Sequence, residues 1–98
     1  MKKLLLALLV SVAAPGFAAQ PDMKKFNQSC KLCHANGVAG APKTHDTDAW
    51  APAMQKGMDV LIESVKKGMG AMPPKAMCYQ CSDEDYRAMI EFMAAPAE

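Results

Sequence analysis

Cys30-Lys31-Leu32-Cys33-His34 sets two thiols three residues apart, with an imidazole directly after the second. On one turn of helix both sulfurs face the same way, and the histidine stands one residue further round. That spacing lets the thiols add to two vinyl groups of a single porphyrin while His34 offers a ring nitrogen to its iron, the pattern of covalent haem attachment. The consequence for folding is severe. A porphyrin tied to this turn is the largest apolar body in a short chain, so the other segments have to wrap it.

How short the chain is depends on its beginning. Lys2 and Lys3, the apolar run over residues 4–10 and the mostly small residues over 13–19 predict an export signal that is cut off. Cleavage after Ala18 places Gly16 and Ala18 at the −3 and −1 positions. The run is too short for a membrane span, which needs roughly 20 apolar residues. Residues 1–18 therefore read as a signal peptide and 19–98 as one domain of the periplasm. A domain of about 80 residues has a core worth only a few kcal/mol and needs a staple, a metal or a cofactor. Loss of Lys2 and Lys3 moves the net charge from +1 to −1. Such a chain has no basic field to attract nucleic acid or anionic lipid.

After the signal, residues 22–30 read as a short first helix running into the haem motif, with Phe26 and Cys30 on one face. Phe26 is expected to be a core aromatic packed on the last helix. Residues 35–47 carry the loop signals Asn36-Gly37, Gly40 and Ala41-Pro42. Pro42 stiffens the chain there and is a candidate haem contact, against the plainer reading of a loop proline. His45, the only other histidine, reads as an exposed loop side chain more than as a second axial ligand. Residues 48–54 form a capped helical turn interrupted by Pro52. Within it Trp50 offers an N–H that needs a partner when buried, with a haem propionate one candidate and core packing the other.

Residues 58–67 form a helix stopped by Gly68, with Leu61, Ile62 and Val65 on the inner face. In Gly68-Met69-Gly70-Ala71-Met72-Pro73-Pro74-Lys75 the two prolines force a rigid, extended exit and hold Met72 out of the α region. Most of the nine methionines fill gaps. Met72, held still, is the candidate sixth iron ligand, and Met69, between glycines, is the looser alternative. The last helix begins at Ser82 with Asp85 as a variant capping box, buries Tyr86, Met89, Ile90 and Met93, and ends before Pro96.

The four cysteines admit other readings. Two C-x-x-C pairs separated by a long insert also spell a four-thiolate zinc site. His34 and the Met-Pro-Pro loop argue for haem instead, and an exported chain disfavours free thiolates. A thioredoxin-like use of Cys30 and Cys33 lacks the strand–helix–strand surroundings. Cys78 and Cys81 then form either a disulfide closing a very small loop, with little effect on global stability, or a reducible dithiol.

Taken together, C-K-L-C-H, the tryptophan helix, A-M-P-P-K and C-Y-Q-C before a final helix resemble the class I c-type cytochromes, and the C-Y-Q-C pair is similar to the cytochrome c5 subgroup. The resemblance spans the whole domain. It implies an all-α fold of three to four helices around one covalent haem c. It also implies Cys30 and Cys33 as thioether attachments, His34 and Met72 as axial ligands, a Cys78–Cys81 disulfide, and first and last helices crossing at Phe26. Asp22 stands where this family often has glycine or alanine, eight residues before the first cysteine, so a looser or shifted crossing is expected. The implied function is single-electron transfer, not enzymatic turnover. Redox proteins, a membrane reductase or a terminal oxidase or reductase, dock transiently at the haem edge, with no nucleic acid and no small-molecule substrate. A haem sensor or catalyst with an open iron site is the rival function.

Overall fold

The computed structural model describes residues 20–97, so the expected signal peptide lies outside the described residues. Among the described residues five α-helices follow one another: α1 (Met23–Gln28), α2 (Lys31–His34), α3 (Thr47–Met54), α4 (Met58–Lys67) and α5 (Asp83–Ala94). Among the described residues the only extended pairing is one antiparallel bridge, Met69 to Met72. The fold is all-α, as expected, with five helices instead of three to four because the chain breaks at Ser29 between α1 and α2.

The first helix does not run into the motif. It stops at Ser29, whose hydroxyl bonds the Lys25 carbonyl at 2.6 Å and whose backbone leaves the helical region. A short hydroxyl side chain competes with the backbone ladder in this way. The Cys30–His34 turn is thereby set at its own angle, with Phe26 and Cys30 still buried together. Asp22 is outside the helix altogether. Its carboxylate accepts from the Lys24 and Lys25 amides as the N-cap. The position where a small residue is common is thus a cap here, and side chains make the meeting of α1 with α5. Phe26 and Phe92 pack edge to face at 5.2 Å, and Lys25 Nζ lies 2.9 Å from Asp85 Oδ2.

Pro52 does not interrupt α3, contrary to the sequence reading. The missing N–H would have bonded the carbonyl of Asp48, an exposed residue that water can satisfy, and the helix closes beyond it with Gln55 N–H to Ala51 O. α4 ends at Gly68 as its sequence requires. Gly68 has φ +84°, and a Cβ there would stand 2.9 Å from the Met72 carbonyl oxygen. This glycine serves a turn and a close approach at once. Next, Met69 and Met72 exchange two backbone hydrogen bonds, 3.0 and 2.9 Å, across Gly70-Ala71. Lys75, Ala76 and Met77 then all take positive φ before Cys78.

α5 is capped as its sequence predicts, by reciprocal bonds between Ser82 and Asp85, and it buries Tyr86, Met89, Ile90 and Met93. His45 ties off its far end. The His45 amide donates to Met93 O at 2.7 Å, Nδ1 donates to Ala95 O at 2.9 Å, and the ring packs on Phe92. The core of Phe26, Trp50, Leu61, Ile62 and the α5 face surrounds one cavity.

Candidate haem site

A cavity of about 320 Å³, partly open to solvent, lies between α2, α3, α4 and α5 and is closed on another side by the Met69–Ala76 segment. α2 and its N-cap supply His34 and Cys30, α5 supplies Tyr86, Met89, Ile90 and Met93, and α4 supplies Leu61 and Val65. Pro42, Trp50 and Met72 also line it, so five of the six cofactor residues expected from the sequence meet in one place. Cys33 is the sixth. It is half-buried, one turn on from Cys30, and does not line the cavity. Met69 lines it as well, though 58% exposed.

The His34 ring is held firmly. Its Nδ1 lies 2.7 Å from the Pro42 carbonyl oxygen. A carbonyl only accepts, so Nδ1 carries a proton, and in the neutral ring Nε2 then keeps its lone pair, the form in which imidazole binds a metal. A second bond of this kind is what orients a metal-ligating histidine. Thr44 fixes the backbone beneath it, with Thr44 N and Oγ1 both donating to His34 O at 2.7 and 3.2 Å. Trp50 stacks on the ring at 5.3 Å between centroids. The sequence suggested a propionate as partner for the indole. Its Nε1–H instead donates to Lys43 O at 2.9 Å, because the loop brings that carbonyl alongside and satisfies the buried donor. Trp50 thus braces the loop that braces His34.

The two cysteine pairs differ. Cys30 and Cys33 are unbridged thiols, whereas a disulfide joins Cys78 to Cys81. Burial pushes the Cys30 thiol pKa up, with a smaller opposing pull from the Ser29 hydroxyl, and its sulfur sits 3.7 Å from Met89 Sδ. Tyr86 anchors the bridged pair to the cavity wall through Oη–H donating to Cys78 O at 2.9 Å. That link was not legible in the sequence, where Tyr86 read only as one residue of an apolar face. Among the described residues no group of three or more His, Cys, Asp or Glu side chains converges as a metal cluster, so the four cysteines do not form the four-thiolate alternative.

An apolar hollow, two unbridged thiols on one turn, an imidazole presenting Nε2 and a thioether nearby are the donors a covalently held haem requires. The comparisons with known proteins agree. A family model described as cytochrome c oxidase, cbb3-type, subunit III matches residues 18–93. Cytochrome c5 of Ectopseudomonas mendocina is 43% identical over 84 residues, covering 84% of this chain and 97% of that protein. The chain belongs to the class I c-type cytochromes and is c5-like. Cytochrome c-555 of Chlorobaculum tepidum is 33% identical, with 94% of this chain and 89% of that one covered. A mono-haem ferrocytochrome c from Shewanella putrefaciens superposes with a TM-score of 0.69 at 51% identity, covering 80% of this chain and 96% of that chain. One chain of an electron transfer complex of nitrite reductase with cytochrome c superposes at 0.67 with 41% identity, covering 76% and 95%. As a member of this family the cytochrome carries one covalently attached haem c.

Proposed function

We propose that this cytochrome is a periplasmic carrier of single electrons, with its haem attached through Cys30 and Cys33 and ligated by His34 and Met72. When bound, the haem supplies a one-electron ferric/ferrous couple. The observation that carries the reading is the His34 Nδ1–H bond to Pro42 O, which leaves Nε2 as the free donor of a ring lining the cavity. Cys78 and Cys81 are poor candidates for attachment. Ser82, not a histidine, follows them, and their sulfurs are already joined.

Each residue has a distinct task. Cys30 and Cys33 would hold the ring by thioether bonds, and His34 would offer Nε2 to the iron. Met72, its backbone held by paired bonds to Met69, would offer its thioether as the second iron ligand. With His34 and Met72 both as ligands, the iron would have no place for a substrate, which would suit electron transfer and not turnover. A thioether ligand and an apolar enclosure both favour the ferrous state and raise the potential. Partners are redox proteins, as the nitrite reductase complex of a relative suggests. They dock at the open side of the cavity by a small transient contact. A net charge near −1 after processing makes long-range steering weak. The N-terminal pattern of lysines, apolar run and small residues supports export.

Mass spectrometry of the purified protein should find the haem on the peptide holding Cys30 and Cys33. The ferric protein should show the far-red iron–thioether band, and Met72→Ala should abolish it while Met69→Ala leaves it. Haem on the Cys78–Cys81 peptide, or a ferrous wild type that binds carbon monoxide rapidly, would overturn the proposal.

A further inference from the structure

Haem is a dicarboxylate as well as an apolar disc, so an enclosing protein has to find something for its acid groups. Most polar side chains lining this cavity already donate elsewhere within the chain. His34 Nδ1 donates to Pro42 O, Trp50 Nε1 to Lys43 O, Ser64 Oγ to Val60 O and Tyr86 Oη to Cys78 O. Lys56 is different. It is the only formally charged side chain in the cavity lining, and among the described residues its ammonium takes part in no ion pair.

Its surroundings keep it available. Lys56 stands at the corner between α3 and α4, held by backbone bonds from Lys56 N to Ala53 O and from Gly57 N to Met54 O, at 3.0 and 3.2 Å. Asp59 and Arg87 share the outer hollow beside it, but Asp59 Oδ1 lies 3.7 Å from Arg87 Nη2. Asp59 therefore has another cation. A lysine carries its charge on a long flexible stem and serves as a mobile point charge for an anion.

We propose that Lys56 binds a carboxylate of the haem periphery, so that the acid-bearing edge of the macrocycle faces the α3–α4 corner. This rests on the cavity being the haem site. With four other donors spent, the pairing makes Lys56 the determinant of how the haem acids are compensated. The positive charge also favours the ferrous form, in which the iron centre carries one positive charge fewer.

The test uses the full haem-loaded protein with Lys56→Arg, Lys56→Gln and Lys56→Glu, and Lys24→Gln, an exposed residue of α1 outside the cavity lining, as a control. Resonance Raman of the propionate-bending mode reads the contact directly, and the midpoint potential reads its charge. The mode should shift in Lys56→Gln and Lys56→Glu and stay in place in Lys56→Arg and Lys24→Gln. The potential should fall from wild type to Lys56→Gln and again to Lys56→Glu, with smaller differences in high salt. An unmoved propionate mode in both charge-removing variants overturns the Lys56 assignment alone. Wild-type protein without haem on the Cys30–Cys33 peptide overturns the underlying site instead.

Discussion

Replacing Tyr86 by phenylalanine removes one oxygen from the most tightly enclosed polar contact beside the cavity. Tyr86 and Cys78 are 4% and 2% exposed, and the phenol donates to the Cys78 carbonyl at 2.9 Å. That carbonyl also accepts from Cys81 N at 3.2 Å, so the variant strips one of its two partners and does not orphan it. A net hydrogen bond is worth about 1 kcal/mol, and a wholly unsatisfied buried group costs about 1–3 kcal/mol, so a loss of about 1–2 kcal/mol follows. Phenylalanine keeps the ring volume, so no cavity cost is added. In a domain of this size each kcal/mol moves the melting temperature by about 4–8 °C, which makes a fall of about 4–16 °C readable by circular dichroism on the loaded protein.

A second signature lies in pH. Burial, and after it the charge of Asp83, raises the Tyr86 phenol above its ordinary value of 10.0. A raised folded value means that the contribution is complete below 10.0 and is lost as pH climbs through the folded value, because the unfolded chain ionises first. The wild type should therefore lose stability above pH 10 more steeply than the Tyr86→Phe protein. Equal melting temperatures at neutral pH, with superimposable alkaline limbs, would refute the role given to this hydroxyl.

Gly68→Ala should cost about 1–3 kcal/mol from backbone conformation alone, because φ +84° with ψ 156° is a region used almost only by glycine. The new methyl also meets the Met72 carbonyl, so the iron–thioether band should weaken, and an unchanged band and unfolding midpoint would contradict the turn described here. Asp85→Asn tests the α1–α5 clasp by pH titration of stability. The hydrogen bond from Lys25, then that from the Ser82 amide, holds the Asp85 carboxyl below its ordinary 3.8, so its contribution is present above that value and is lost as pH falls through the lowered one. The variant should show a flatter acid limb than the wild type, and identical acid limbs would count against the clasp.

Much of the site was legible because its chemistry is local. Cys30, Cys33 and His34 fall within five residues, so the sequence alone places them on one turn, where the proposed attachment needs them. The same holds for the Ser82–Asp85 cap, the Gly68 stop and the apolar face of α5, each a matter of residues within a turn or two. At Ser29 and Pro52 the structure departs from the local pattern, through a competing hydroxyl in one case and an exposed, hydratable carbonyl in the other. The Pro42 carbonyl that fixes the His34 tautomer, the Lys43 carbonyl that takes the indole N–H, and the Tyr86 hydroxyl on Cys78 were decided only by the tertiary structure. Backbone carbonyls leave no mark in a sequence, since every residue has one. Which of them meets a buried donor is set by how distant segments close around the cavity.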